Sequence, residues 1–254
     1  MRWMPLSPGT RFLGDIGRFR TLGDPKNGTF AVRGQNPLIG IDMDGTNDRI
    51  DIPFRSFDPS SSATGVTCSA WLYFDAVNQT NPQYLICSQI SGDTNVAMLF
   101  FLLGNATAVA SVALSFQRAT AQTARWMTAN TIPISTWIHV AATWSGGTTA
   151  ATIVLYMNGR QVSMDAGGDG SGTAIAAVGT TVLGGRTFDD TRNLNGMMLD
   201  ARIYDRPLTA AEVYALWDPA TRWDLYALPR SSMFSIPAAA NTPIFGHINN
   251  PVSF

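Results

Sequence analysis

Residues 193–217 read NLNGMMLDARIYDRPLTAAEVYALW, and the fold turns on them. The run 197–204 is mostly apolar, strand-length and free of Pro and Gly, so it predicts a β-strand. Asp205, Arg206 and Pro207 break it. Leu208-Thr209-Ala210-Ala211-Glu212-Val213 then has the pattern of a capping box. The Thr209 hydroxyl can take the amide of residue 212, and the Glu212 carboxylate can reach back to the amide of Thr209. Leu208 and Val213 sit where a hydrophobic staple would close. A helix over 210–217 is predicted, ending before Pro219. The only Glu of the chain therefore has a structural role at hand.

Working outward, the rest of the middle region repeats one theme: short apolar or alternating runs divided by turn residues. Strands are predicted at 38–43, 49–54, 66–74, 83–90, 96–103, 108–117, 124–127, 137–144, 152–157, 160–164 and 180–183. In Trp137-Ile138-His139-Val140-Ala141-Ala142-Thr143-Trp144 the odd-numbered residues take one face and the even-numbered ones the other. Asn158-Gly159 divides two runs and suits a type I′ turn, because both residues tolerate positive φ. Many short strands with regular turns and one helix predict an all-β, antiparallel sandwich. Residues 1–37 and 218–254 are richer in Gly, Pro, Asn and Ser and read as extended terminal arms around a domain over 38–217.

Composition narrows function. Charged residues are 14% of the 254, against a usual ~25%. The net charge is −1, from 16 Arg, one Lys, 17 Asp and one Glu. Such a chain has no electrostatic footprint for nucleic acid. No apolar run reaches the ~18 residues of a membrane span. The stretch 1–20 is interrupted by Pro5, Ser7, Pro8, Gly9, Thr10 and Arg11, so no secretion signal is expected. Cys68 and Cys87 both lie in apolar strand-like runs and are expected as buried thiols rather than a disulfide.

The segments GIDMDGTNDRIDIP (40–53), VTCSAWLYF (66–74), STWIHVAATWSGG (135–147), IVLYMNGRQV (153–162) and LGGR (183–186) occur in that order before 193–217. Together they resemble laminin-G-like domains of the concanavalin A-like jelly-roll superfamily, over about 180 residues. The resemblance implies a jelly-roll sandwich. It also offers a metal site: many members hold a structural calcium with Asp, Asn and backbone oxygens. Asp44, Asn47 and Asp200 occupy matching positions, while Ala201 stands where the family often has Glu. No cofactor is otherwise expected, and metal ligation stays open. The segment WDPATRWDLYALP (217–229) resembles sequences that follow such domains in tailed-bacteriophage structural proteins.

Enzymatic chemistry is not expected. Related jelly-roll hydrolases carry Glu-x-Asp-x-x-Glu on one strand, and a chain with one Glu cannot supply it. His139 occupies a family position and reads as a sandwich residue held by a hydrogen bond. Two His and two distant Cys build no zinc site. Trp126 with Arg125, and the loop bearing Arg186, Asp189, Asp190 and Arg192, have the aromatic and planar polar groups that suit a glycan. The alternative is that Trp126 packs on the sandwich and the loop is merely solvated. Trp3, Phe12, Arg222, Trp223, Tyr226 and Phe254 in the arms have the residue types of interface anchors.

The expected function is therefore a phage virion structural protein, as a capsid decoration or a tail or fibre component. It would be located in the virion, dock through its arms and associate with other virion subunits as a homo-oligomer. Host-surface glycans are the second expected partner, and a stand-alone carbohydrate-binding module or lectin is the alternative function.

Overall fold

The computed structural model describes residues 24–26, 29–32, 39–52, 58, 65–75, 81–90, 92, 95–104, 110–128 and 132–221. The strands are β1 (Asp24–Lys26), β2 (Thr29–Val32), β3 (Ile39–Asp44), β4 (Arg49–Ile52), β5 (Val66–Phe74), β6 (Gln83–Gln89) and β7 (Val96–Gly104). They continue as β8 (Ala110–Phe116), β9 (Thr123–Trp126), β10 (Trp137–Trp144), β11 (Ile153–Met157), β12 (Arg160–Gln161), β13 (Thr181–Leu183) and β14 (Asn195–Tyr204). The helix α1 is Ala210–Trp217. The strands form two seven-stranded antiparallel sheets: sheet I in the order β1-β4-β13-β6-β7-β8-β9, and sheet II in the order β12-β11-β10-β5-β14-β3-β2. This is the expected antiparallel jelly-roll sandwich with one short helix. Among the described residues no helix is long and apolar enough to cross a membrane.

Alternation explains how the sheets meet. From sheet II, Val66, Cys68, Ala70, Leu72 and Phe74 of β5 and Ile138, Val140, Ala142 and Trp144 of β10 point inward. From sheet I, Met98, Phe100 and Leu102 of β7 and Val112, Leu114 and Phe116 of β8 meet them. Phe116 stacks on Trp144 at 4.1 Å, joining the sheets ring to ring. Cys68 lies in this core, whereas Cys87 belongs to an apolar cluster on the outer face of sheet I. The two face different sides of different sheets, and both are buried thiols outside any disulfide. Burial pushes the Cys68 thiol well above its usual range.

The outer face of sheet II is closed by α1. Its capping box forms as the sequence predicts: Glu212 N donates to Thr209 Oγ1 at 3.3 Å, and Thr209 N donates to Glu212 Oε2 at 2.9 Å. Arg206 adds two donors to the same carboxylate, at 3.0 and 2.6 Å. The Thr67 hydroxyl of β5 pins the entry segment, donating to the Arg206 carbonyl and accepting from Leu208 N. Leu208, Val213 and Leu216 then pack on Ala141, Tyr156 and Tyr204, while Trp217 packs on Trp71, Tyr73 and Trp137. Gly159, at φ 75° in the Asn-Gly turn, lies beneath the helix, where an added Cβ would press on the Trp217 ring.

A β-bulge sets the polar layer under the helix. The register of β14 on β5 shifts between Leu199 and Arg202, with Asp200 in the left-handed region at φ 53°. Asp200 and Arg202 thereby share a side and pair through two hydrogen bonds, both almost wholly buried. Ala201 points into the apolar core, where an acidic residue would have to be desolvated. His139 is buried beside them, its ring 5.5 Å from that of Trp71. Its Nδ1 lacks the hydrogen bond expected from the sequence. Burial, then the charge of Arg202, lower its pKa to about 3, so it is neutral at ordinary pH.

Two strands lie inside the stretch 1–37 read as an arm. β1 pairs with β4 in sheet I, and β2 pairs with β3 in sheet II. At three and four residues they are too short to show alternation; edge pairing with a longer strand defines them. The rest of 1–37 and nearly all of 218–254, including Trp3, Phe12, Arg222, Trp223, Tyr226 and Phe254, lie outside the described residues. The run predicted at 160–164 shortens to β12, after which the chain makes isolated bridges that cover the free edge of β9.

Two outcomes follow for stability. Arg202→Leu leaves a buried carboxylate without its main partner and should cost about 3–5 kcal/mol, most of it regained on adding Asp200→Asn, as read by urea unfolding. Glu212 has its pKa lowered from 4.5 to about 2, chiefly by the Arg206 hydrogen bonds, which outweigh burial. Its contribution is whole above pH ~4.5 and fades as pH falls through ~2. The stability gap between wild type and Glu212→Gln, about 1 kcal/mol at neutral pH, should therefore close on acidification in paired melting curves.

Candidate functional site

With α1 on sheet II, the opposite outer face carries the candidate site. β13 is followed by Gly184, where φ is 78° and an added Cβ would lie 2.2 Å from Met43 Sδ. The chain then leaves the sheet, runs through residues 186–193 and returns: Leu194 N donates to the Gly184 carbonyl at 2.8 Å. Tyr84 N on β6 donates to the Arg192 carbonyl at 2.9 Å. The loop is thus held at its base by backbone bonds on both sides.

Side chains fix the rest. Gln89, fully buried at the end of β6, makes a reciprocal pair with Thr187: Thr187 N donates to Oε1 at 3.0 Å and Nε2 donates to Oγ1 at 2.8 Å. Asp189 Oδ1 accepts from Thr191 N and Oγ1 at 3.0 and 2.8 Å, an Asx turn, while Oδ2 pairs with Arg186. Asn193 Nδ2 donates to the Thr46 carbonyl at 2.6 Å, tying the loop to the turn between β3 and β4. Arg49 of β4 bridges two carboxylates, Asp51 at 2.9 Å and Asp190 at 3.2 Å.

At the centre stands Tyr84. The Arg186 guanidinium lies 5.5 Å from its ring centroid and 4.3 Å from that of Phe188; Arg192 lies 5.7 Å from Tyr84. Phe101 meets Tyr84 edge-on at 6.4 Å. Burial raises the Tyr84 hydroxyl, and the two arginines only partly offset this, so it stays a neutral phenol. Burial alone would raise the Asp189 carboxyl; the Arg186 and Thr191 hydrogen bonds outweigh it and hold the carboxyl below its usual range. Phe188 is 37% exposed and the Asp190 side chain 55%, so the ring and the carboxylate present themselves to solvent.

The structure brings together Arg186, Asp189, Asp190 and Arg192 but not Trp126 and Arg125. The latter pair lies on β9, four strands from β13 across sheet I, about 19 Å at ~4.8 Å per strand. There Trp126 Nε1 donates to Asp165, and Arg125 donates to the carbonyls of Asp165, Ala151 and Ile153, closing the side of the sandwich. Arg49, Tyr84 and Gln89 join the loop and were not picked out from sequence. The only local signal was the outward phase of Arg49 in the alternating strand RIDI. β6 is buried throughout and hides Tyr84 and Gln89.

Of the residues matched to a calcium site, Asp44 and Asp200 do not converge. Asp44 Oδ1 accepts from Thr46 N in its own turn, and Asp200 is engaged by Arg202. Asp200 lies five residues along β14 from Asn195, the partner of Asp44, a span of about 16 Å. Among the described residues no three His, Cys, Asp or Glu are placed to hold a metal.

The fold and loop define a jelly-roll sandwich with a polar-aromatic surface site on one sheet. Residues 44–214 match the family model described as the concanavalin A-like lectin/glucanases superfamily, so the chain belongs to that superfamily. No curated protein matches the chain. Among solved structures, domain 4 of AbnA, a GH43 extracellular arabinanase from Geobacillus stearothermophilus, in complex with arabinotriose, aligns with a TM-score of 0.50 at 17% identity, covering 82% of this chain and 88% of that one. A heptameric SAP-like pentraxin from Limulus polyphemus aligns at 0.51 and 17% identity, over 78% and 84%. The binding domain of Paraclostridial Mosquitocidal Protein 1 aligns at 0.55 and 13% identity, over 82% of this chain and 47% of that one.

Loop order depends on Gln89. In Gln89→Leu the amide and hydroxyl of Thr187 lose their partners, a cost of about 1–3 kcal/mol. Hydrogen exchange should rise across 186–193 while the amides of β5 and β10 keep their protection.

Proposed function

We propose that this chain is a non-catalytic glycan-binding module whose site is the 186–193 loop with Tyr84 and Arg49. The observation that carries the reading is the clustering around Tyr84 of an exposed ring, Phe188, with planar cations and carboxylates. A ring can meet the apolar face of a sugar, and arginines and carboxylates can pair with its hydroxyls. The superfamily is one of lectins and glucanases, and the arabinanase domain was solved with arabinotriose, which supports a sugar as the ligand class. Hydrolysis at the loop is disfavoured by the state of its two carboxylates. Asp189 and Asp190 are both tied to arginines, and Asp189 is held below its usual pKa, whereas a general acid needs a raised one.

A second reading concerns where the module works. The segment WDPATRWDLYALP (217–229) favours a structural subunit of a tailed-phage virion, with homo-oligomeric contacts through the terminal regions and host glycans as the bound target. A full chain that runs as a monomer in light scattering and is missing from purified particles would remove it.

A glycan array with the full chain tests the first reading. Binding should appear and should weaken about tenfold or more in Phe188→Ala and Asp190→Ala, while Trp126→Phe retains it. Binding carried by Trp126 instead would relocate the site to β9.

A further inference from the structure

We propose that the loop site selects an acidic sugar, one bearing a carboxylate or sulfate, and that Arg192 receives the anionic group. This rests on the glycan-binding reading and adds the ligand's charge.

The argument is one of unequal pairing. Arg49 has two carboxylate partners, Asp51 and Asp190. Arg186 has one, Asp189. Arg192 has a place against the Tyr84 ring but, among the described residues, no carboxylate, and its Nε is buried without a hydrogen-bond acceptor there. Arg186 Nε is likewise buried without an acceptor. Two guanidinium groups therefore share one aromatic ring with a single carboxylate between them. The immediate surroundings of Tyr84 carry an excess positive charge in a chain whose net charge is −1.

An unpaired, partly desolvated guanidinium is costly to hold and gains most from an oxyanion. Its planar fork matches carboxylate and sulfate oxygens, and charge-assisted hydrogen bonds are the strong ones. The backbone of Arg192 is anchored through its carbonyl to Tyr84 N, so the side chain starts from a fixed base. The exposed Phe188 ring, stacked on Arg186, offers an apolar face next to the cations. A sugar ring with an acid group would complete both requirements, whereas a neutral sugar would leave the Arg192 charge unmatched.

The test is isothermal titration of the full chain with matched pairs: an oligogalacturonate against its methyl ester, and a lactose sulfate against lactose. The acidic member of at least one pair should bind about tenfold more tightly. That preference should shrink with added NaCl and vanish in Arg192→Met, with an unchanged melting curve as the folding control. Which pair shows it separates carboxylate from sulfate. Equal affinities within both pairs would overturn this inference and leave the glycan reading standing. No binding of any of the four sugars, together with an empty glycan array, would overturn both. A preference that survives Arg192→Met would overturn the assignment to Arg192. Should that variant not fold, loss of preference in salt against its persistence decides on the wild-type chain alone.

Discussion

Strand β5 is buried on both faces, and the rest of the molecule answers to that. An antiparallel strand usually keeps one face in water, yet all nine residues of Val66–Phe74 are buried. One face belongs to the core between the sheets. The other, with Thr67, Ser69, Trp71 and Tyr73, must be covered. The helix α1 and its entry segment do this, which is why the capping box, the Thr67 hydroxyl and the Asn-Gly turn all converge there. The helix occupies the outer face of sheet II, and residues 186–193 lie against Tyr84 on the outer face of sheet I.

Charge is managed by pairing rather than by exposure. Two buried polar groups come as sets: Asp200 with Arg202 below the helix, and Gln89 with Thr187 below the loop. On the surface of the loop the same habit continues, with Arg186 on Asp189 and Arg49 on Asp51 and Asp190. Against this background Arg192, half-buried with neither a carboxylate nor a carbonyl acceptor among the described residues, stands out as chemistry not used by the fold. The Asp48 carboxyl is the converse case. Burial raises its pKa, the Asp44 amide partly compensates, and the charges of Asp44 and Asp42 add to the rise.

Much of the fold was legible in the sequence, for local reasons. The strands at 66–74 and 137–144 and the helix at 210–217 match β5, β10 and α1 because alternation and capping are set by residues a few positions apart. β1 and β2 were not legible, since a three- or four-residue piece has no period to read. The candidate site was legible only in part. The loop's Arg186, Asp189, Asp190 and Arg192 belong to one short stretch, but Tyr84 and Gln89 lie in a strand whose uniform burial conceals which residues face the loop. Asp200 matched a ligand position in sequence, yet the bulge at Leu199–Arg202 turns it toward Arg202.

By itself, then, the sequence determined the class of architecture, the inner face of each alternating strand, the helix and its cap, and the want of a second glutamate. These follow from spacings of two to four residues. Only the tertiary structure decided what meets across the sheets. Arg49 finds Asp190 across 141 residues, Gln89 finds Thr187 across 98, and Asn193 finds Thr46 across 147. Pairings at such separations are set by strand order and register, which no local pattern encodes. For the same reason the partition of the arginines into paired and unpaired, on which the reading of Arg192 rests, exists only in the folded chain.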